Sequence, residues 1–322
     1  YVQRVEVCDR KSSDVYKDMD KSKARIYDDL MARHWNYWDE GSYLHIFVGD
    51  FGAEGLKPGV DIIGKDAAWD APLAPYFDMA EIAWNNAGTM LAYTCKPLTG
   101  TEYAVSTDSD IFVYVLENGV TQNICKPVNV NTGEPIADYD KYPVWSPDDR
   151  QIAFLSQRRA GNESDKARLF LYDCQTAQMQ DLTEDFDYNA MNVVWSGSDM
   201  LYFIAPIEAT HQICRIAPSV GEVEVVTRGD HDINAFSMAG DRIAAEMCTI
   251  SMATEFFDVN PADGTLTQIS AINKPVYDNI RMGEVQKRWV RTTDGKQMLT
   301  WVILPPDFDP AKKYPTLLYC QG

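Results

Sequence analysis

The chain has 322 residues, of which 45% are hydrophobic, and it contains 17 Tyr, 12 Phe and 8 Trp. This composition is sufficient for one large or two ordinary packed domains. The formal net charge of −19 argues against binding to nucleic-acid phosphates, which requires a surplus of cations. The acidic surplus instead predicts either solvated surface loops or an acidic cavity that attracts cationic or free-amino ligands.

The sequence carries no pattern typical of a metal site, a cofactor site or a membrane span. The seven cysteines are dispersed and form no C-x-x-C pair, and the four histidines do not stand at ligand spacing from one another. No segment approaches the ~20 apolar residues that a membrane-spanning helix requires. The motifs of zinc peptidases, P-loop proteins and dinucleotide-binding proteins are absent as well. We therefore expect no metal and no cofactor.

The N-terminal region begins with a helical pattern. Within residues 18–40, Ile26, Tyr27, Leu30 and Met31 have the spacing of one short amphipathic helix.

An aromatic and charged cluster, Arg-His-Trp-Asn-Tyr-Trp-Asp-Glu-Gly, occupies residues 33–41. One interpretation is that its two tryptophans fill space between strands while its arginine pairs with a carboxylate. The other is that its charged side chains face a channel or a domain interface, where bidentate pairing and aromatic walls would bind a ligand. The candidate substrate or interface contacts are Arg33, Trp35, Trp38, Asp39 and Glu40.

A repeating unit begins near residue 80 and predicts the architecture. In each copy an aromatic residue ends a short apolar run, a polar turn follows, and a second, alternating apolar run comes next. The copies cover residues 82–93, 144–154, 194–203 and, more weakly, 235–245. The aromatic residues are spaced by 61, 50 and 41 residues, which is the length of a β-propeller blade with loop insertions in the earlier copies.

A second hairpin follows each copy, so that every unit has four strands. These hairpins cover residues 111–124, 168–182, 212–226 and 255–269, and their turns are rich in Asn, Asp and Gly. Four antiparallel strands per unit with little helical periodicity predict an all-β fold, an incomplete β-propeller of about four to five blades. Two unrelated β-sandwiches are the alternative.

The C-terminal segment follows a different pattern. Asp294 and Gly295 predict a hairpin turn between two strands, and a Pro-Pro pair ends the second strand. The apolar run over residues 316–320 predicts a buried strand that enters a Gly turn, as at the C-terminal edge of a parallel sheet. We therefore expect a β-propeller domain over residues 1–278 and the truncated start of an α/β-hydrolase domain over residues 279–322.

This junction resembles that of the prolyl oligopeptidase family of serine peptidases. The resemblance rests on Thr-Asp-Gly at 293–295, Leu-Pro-Pro-Asp-Phe at 304–308, Tyr-Pro at 314–315 and Leu-Leu-Tyr-Cys-Gln-Gly at 317–322. The Trp-Ser-Pro-Asp sequence at 145–148 agrees with the blades of that family. The cluster that begins at Arg33 is most similar to the branch of acylaminoacyl peptidases and bacterial dipeptidyl peptidases.

The resemblance implies a role for this chain that is narrower than that of its parent enzyme. The family's catalytic Ser, Asp and His would lie beyond Gly322, and no G-x-S-x-G motif occurs in these residues. Gln321, followed by Gly322, occupies the oxyanion-loop position, where relatives carry Tyr or His. The propeller would cover the active site and admit short peptides. The parent enzyme would release dipeptides or acylated amino acids from peptide N-termini.

The resemblance also implies partners. The propeller would pack against the α/β-hydrolase domain of the same polypeptide. Since relatives have seven or eight blades, early blades would lie outside this sequence, and an exposed edge strand would favour homo-oligomers. The protein would be periplasmic or exported if it follows the bacterial peptidases that it resembles, or else cytoplasmic. The alternative from another class is a binding propeller of the TolB type in a transport or envelope complex, because such propellers share the blade motif.

Overall fold

The computed structural model describes residues 1–7, 11–125 and 138–320. The chain forms two compact units. The first comprises Tyr1–Phe203 and Arg215–Glu224, and the second comprises Ile204–Cys214 and Val225–Gly322. The division into domains at residues 278 and 279 stays a prediction.

The N-terminal part of the first unit contains a three-stranded antiparallel sheet and two small hairpins. Its elements are β1 (Val2–Glu6), α1 (Ser12–Val15), β2 (Arg33–His34), β3 (Tyr37–Trp38), β4 (Ser42–Val48), β5 (Phe51–Gly52), β6 (Gly55–Leu56) and β7 (Val60–Asp61). Strand β4 lies between β1 and β7. The pairs β2–β3 and β5–β6 form the separate hairpins.

The helix predicted within residues 18–40 is wrong, because this stretch is irregular up to the β2–β3 hairpin. Leu30 and Met31 line a cavity and do not form one face of a helix. The backbone N–H of Asp39 donates to the carbonyl of Ala32 at 3.0 Å, beside the hairpin. The spacing of the apolar residues therefore reflects tertiary contacts, which override the local helical pattern.

Two four-stranded antiparallel sheets follow, and they confirm the first two predicted copies of the repeat. The first sheet consists of β8 (Ile82–Trp84), β9 (Met90–Cys95), β10 (Asp110–Val115) and β11 (Val120–Asn123), with the 3-10 helix η1 (Met79–Glu81) before it and α2 (Gly100–Val105) inside it. The second consists of β12 (Tyr139–Trp145), β13 (Gln151–Gln157), β14 (Arg168–Asp173) and β15 (Met179–Asp181). In both sheets each strand pairs with the strand that follows it in the chain.

The third and fourth copies are confirmed as well. The third contains β16 (Met191–Ser196), β17 (Met200–Ile207), β18 (Thr210–Ile216) and β19 (Val223–Val225). The fourth, in the second unit, is the antiparallel sheet of β20 (Asp232–Ala239), β21 (Arg242–Thr249), β22 (Met252–Val259) and β23 (Leu266–Gln268).

The C-terminal part of the second unit contains α3 (Lys274–Tyr277) and the hairpin of β24 (Val285–Arg291) and β25 (Gln297–Ile303). The turn predicted at Asp294 and Gly295 is confirmed. The buried strand predicted over residues 316–320 is wrong: this stretch forms no strand, and Leu317 is 98% exposed. An extended segment becomes a strand only when a neighbouring strand accepts its backbone hydrogen bonds, and among the described residues no strand pairs with this stretch.

Two tryptophans of the repeat connect successive copies in the first unit. The indole Nε1 of Trp145 donates to the carbonyl of Ala83 at 3.1 Å, and that of Trp195 donates to the carbonyl of Val144 at 3.2 Å. Each acceptor immediately precedes the aromatic residue of the copy before. Both tryptophans are buried, so each combines apolar packing with a buried hydrogen bond that fixes the neighbouring copy.

Candidate functional site

The residues of the predicted aromatic cluster form a small hairpin at the mouth of a cavity. Strands β2 and β3 pair with Arg33 opposite Trp38 and with His34 opposite Tyr37. Trp35 begins the two-residue connection with a φ of 48°, which is the conformation that a tight two-residue turn requires. The indole of Trp35 is 60% exposed and packs edge-on against Tyr76, with ring centroids 6.0 Å apart.

The carboxylate of Asp39 holds the end of this hairpin. Its Oδ1 accepts the backbone N–H of Gly41 at 2.8 Å, and its Oδ2 accepts the hydroxyl of Tyr43 at 3.4 Å. The hydroxyl of Tyr27 donates to the carbonyl of Asp39, and the ring of Tyr27 stacks on Trp38 with centroids 6.2 Å apart. Asp39 is thus fixed where the hairpin returns towards β4.

We name the larger cavity beside the hairpin the acidic cavity. It has a volume of about 750 Å³, within the range of small-molecule and peptide sites. Six aromatic side chains line it: Trp35, Tyr37, Trp38, Tyr43, Phe77 and Tyr103. Its ionisable side chains include the carboxylates of Asp39, Glu40 and Asp70 and the guanidinium of Arg4. The cavity therefore combines apolar walls with an excess of negative charge.

Asp70 is the most perturbed of these carboxyl groups. Burial, with a smaller contribution from the nearby Asp39 carboxylate, raises its pKa from 3.8 to about 6. The backbone N–H of Leu44, which donates to Asp70 Oδ1 at 2.6 Å, and the charge of Arg4 oppose this effect. A carboxyl group whose pKa lies this close to neutrality, in a cavity, is typical of functional sites.

Arg4 stabilises the part of the wall of the acidic cavity that contains Phe77. Its guanidinium lies over the ring of Phe77, 5.2 Å from the centroid, and its Nη1 donates to the carbonyl of Ser42 at 3.0 Å. Arg4 therefore offsets part of the negative charge in the cavity while it supports an aromatic wall.

A second cavity, of about 650 Å³, lies on the other side of the hairpin tip, and we name it the arginine cavity. The two cavities share one wall, which consists of Met31, His34, Trp35, Ala74, Pro75 and Tyr103. The charged side chains of the arginine cavity are Arg33, Lys96 and Glu163, together with the imidazole of His34.

Lys96 serves mainly to hold α2 in place. Its Nζ donates to the carbonyl of Tyr103 at 2.7 Å and to the carbonyl of Ser106, and it lies 4.0 Å from the centroid of the Tyr103 ring. Burial lowers the pKa of Lys96, against the pull of the carboxylates of Asp108 and Glu163. Lysine at the C-terminal end of a helix can satisfy the last carbonyls in this way.

The structure thus brings together all five of the predicted contact residues. Arg33 lies in the arginine cavity, Trp38, Asp39 and Glu40 in the acidic cavity, and Trp35 in the wall between them. Whether they contact a substrate stays a prediction. Gln321 and Gly322, the predicted oxyanion-loop residues, lie outside the described residues.

Sequence reasoning missed Asp70, Arg4, Phe77 and Tyr103. They come from three separate segments, namely β1, the loop that contains residues 70 and 77, and α2, which only the fold brings together, and none stands in a recognisable motif. The one local signal was the Trp-Asp-Ala-Pro sequence at 69–72, which lies in a proline-containing loop.

Within residues 1–7, 11–125 and 138–320, no group of three or more His, Cys, Asp or Glu side chains is arranged to hold a metal ion. In the same residues, no helix is long and apolar enough to cross a membrane.

Two solved peptidase structures have a similar fold. An acylaminoacyl peptidase in complex with Z-Gly-Gly-Phe-chloromethyl ketone superposes with a TM-score of 0.65 at 17% identity, over 90% of this chain and 40% of that one. The acylaminoacyl peptidase of Pyrococcus horikoshii gives a TM-score of 0.64 at 17% identity, over the same shares. The four-stranded sheets of this chain are therefore blades of a β-propeller of the kind found in these peptidases.

Curated relatives place the sequence more narrowly. Dipeptidyl-peptidase 5 of Porphyromonas gingivalis is 37% identical over 314 residues, which are 97% of this chain and 44% of that protein. Dipeptidyl-peptidase 5 of Porphyromonas endodontalis is 34% identical over 306 residues, 95% of this chain and 43% of that protein. No family model matches the chain. Together these similarities support the assignment of the chain to the prolyl oligopeptidase family, and the chain spans less than half the length of these relatives.

Proposed function

We propose that this chain is the substrate-gating β-propeller of a serine peptidase that releases dipeptides or acylated amino acids from peptide N-termini. The catalytic serine, aspartate and histidine lie outside these 322 residues. The relatives named dipeptidyl-peptidase 5 support the class of reaction. The absence of a G-x-S-x-G motif supports a role in recognition without catalysis.

The acidic cavity is the observation that carries the proposal. A short peptide with a free N-terminus presents an ammonium group beside apolar side chains. The cavity is lined by the carboxylates of Asp39, Glu40 and Asp70 and by the guanidinium of Arg4. Glu40 also lies 4.0 Å from Arg25, so one net negative charge remains to attract the ammonium group. The aromatic walls bury the side chains that follow it. This charge favours peptides with a free amino group over acylated ones.

The hairpin of β2 and β3 provides the gate. Trp35 and Trp38 are 60% and 62% exposed at its tip and base, and they line the cavity that a peptide would enter. Exposed aromatic side chains around a cavity mark a binding surface in proteins that otherwise bury such groups.

Binding of a defined peptide to the chain tests the proposal. The probe is the tripeptide Ala-Phe-Ala, with its N-acetylated form for comparison, and binding is measured by calorimetry and by tryptophan fluorescence. We expect the free-amine form to bind roughly tenfold more tightly, because a hydrogen-bonded ammonium–carboxylate pair contributes about 1.5–3 kcal/mol. Asp39→Asn should reduce this preference, whereas Asp187→Asn, at an exposed carboxylate elsewhere in the same unit, should leave it unchanged.

The pH dependence gives a second readout. Because the pKa of Asp70 is raised to about 6, its carboxyl group is mostly neutral at pH 5 and mostly ionised at pH 7. The affinity for the free-amine peptide should therefore rise across this range, and Asp70→Asn should flatten the profile. Equal binding of the acetylated peptide, or no binding of either, would refute a peptide-gating role. Turnover of a dipeptidyl reporter by the purified chain would refute the placement of the catalytic residues.

A further inference from the structure

Arg33 carries a charge that the described residues leave without a partner. No hydrogen bond or ion pair joins its guanidinium to any residue among 1–7, 11–125 and 138–320. Arg158, in the same unit, shows the usual arrangement, because its Nη1 donates to Asp138 Oδ2 at 2.8 Å. A guanidinium presents five donors in a planar fork that fits a carboxylate, and Arg33 presents them to the arginine cavity.

The neighbouring charges do not neutralise Arg33. Lys96 is positive as well, and two of its three donors are used by backbone carbonyls of residues 103 and 106. Glu163 is the acidic residue of the arginine cavity, and it lies beyond ion-pair distance of Arg33. The arginine cavity therefore has a positive balance, whereas the acidic cavity has a negative one.

The two cavities share the wall formed around Trp35, so the sign of the charge reverses from one side of this wall to the other. An anion is attracted to one side and an ammonium group to the other. A short peptide carries both groups on one molecule, separated by apolar side chains that an indole and the Tyr103 ring can cover.

We propose that the arginine cavity is a carboxylate subsite, in which Arg33 binds an anionic group of the same short peptide whose ammonium group enters the acidic cavity. This inference rests on the proposed function and adds the second charged group that the ligand must carry. The group is a carboxylate, which a peptide supplies either from its C-terminus or from an acidic side chain. Arg33 thereby sets the specificity of the site for short peptides with two opposite charges.

Paired peptides distinguish the two sources of the carboxylate. Ala-Phe-Ala with a free C-terminus is compared with its C-terminal amide, and Ala-Phe-Glu-amide is compared with Ala-Phe-Gln-amide. We expect at least one acid to bind roughly tenfold more tightly than its neutral partner, because a bidentate arginine–carboxylate pair is among the stronger charged interactions. The first pair reports on a terminal carboxylate and the second on a side-chain carboxylate.

Variants of Arg33 test the residue. In Arg33→Gln the ratio of the affinities for the acid and its neutral partner should fall to about one. In Arg33→Lys this ratio should be partly retained, since lysine keeps the positive charge but lacks the planar guanidinium. Arg150→Gln, at an exposed arginine on a turn of the same unit, should keep the full preference. Arg33 is exposed, so its replacement should leave the thermal unfolding midpoint unchanged, which a melting curve checks.

Equal binding of both acids and their neutral partners, or a preference that survives in Arg33→Gln, would overturn the carboxylate subsite. If the preference for a free amino group persists in that case, the proposed function stands while this inference fails. If no peptide binds, both fail.

Discussion

Replacing Asp140 by asparagine should change how the stability of the first unit depends on pH. Asp140 lies in β12, and its side chain is buried at 2% exposure. Its backbone joins two sheets, since its N–H donates to the carbonyl of Ser109 at 3.0 Å and its carbonyl accepts the hydroxyl of Ser109 at 2.8 Å. Asn has the same shape as Asp and cannot ionise, so the substitution removes the charge and retains the packing.

The magnitude follows from the pKa of this carboxyl group. Burial, together with the carboxylates of Asp138 and Asp110, raises the pKa of Asp140 from 3.8 to about 8, although the hydroxyl of Ser156 opposes this shift. Between these two pH values the folded chain holds a proton that the unfolded chain has released, so the free energy of unfolding falls as the pH rises. The slope is about 1.36 kcal/mol per pH unit, which gives roughly 3–4 kcal/mol between pH 5 and pH 8. The stabilisation that the protonated Asp140 gives to the folded chain is fully present below about pH 4 and absent above about pH 8.

Urea unfolding at pH 5, 6, 7 and 8, followed by tryptophan fluorescence, measures the effect. Six of the eight tryptophans belong to the first unit, so the signal mainly reports its unfolding. The difference between Asp140→Asn and the wild type cancels the titration of all other groups. It should change by roughly 3–4 kcal/mol in favour of the variant between pH 5 and pH 8, and Asp187→Asn, the exposed control, should run parallel to the wild type. A constant difference between Asp140→Asn and the wild type would refute the reasoning, because Asp140 would then be ionised in the folded chain at pH 5.

Two further predictions concern buried carboxylates. Lys141→Met removes the partner of Glu81, whose Oε1 lies 2.9 Å from Lys141 Nζ. This variant should lower the free energy of unfolding, measured in urea, by about 3–5 kcal/mol, because it leaves a buried charge unpaired. The double variant that also carries Glu81→Gln should recover much of this loss. A double variant no more stable than Lys141→Met would contradict this. Glu255 accepts hydrogen bonds from Ser270 and from the backbone N–H of Asn273, which lower its pKa to about 2. The stabilisation that the ionised Glu255 carboxylate provides is present above about pH 4.5 and is lost as the pH falls towards 2. Acid unfolding of Glu255→Gln, monitored by circular dichroism, should therefore lack this loss of stability. An acid transition identical to that of the wild type would contradict the stabilising role of Glu255.

The repeat made most of the fold predictable. The alternation of apolar residues and the turn residues between them are local properties, and they placed both hairpins of all four copies. The failures lie where local pattern and tertiary contact disagree. The residues around Leu30 have helical spacing but line a cavity, and residues 316–320 have the composition of a buried strand but no strand pairs with them in the described residues.

Only the part of the candidate site that is continuous in sequence could be predicted. The hairpin at Arg33 and Trp35 is continuous in sequence, so its density of aromatic and charged groups was visible. Asp70 lines the same cavity because of the fold, in which its carboxylate accepts the backbone N–H of Leu44, more than twenty residues away along the chain. Its raised pKa depends on burial by the folded chain, which the sequence of a single segment does not specify.

The hydrogen bonds of Trp145 and Trp195 have a consequence for how such a chain can grow. The second copy of the repeat presents the carbonyl of Val144 to its successor and the indole N–H of Trp145 to its predecessor. A duplicate of this copy would therefore find a donor on one side and an acceptor on the other. A polymer whose monomers carry complementary ends can lengthen or shorten by whole units, and this symmetry gives gene duplication a low structural barrier in this architecture.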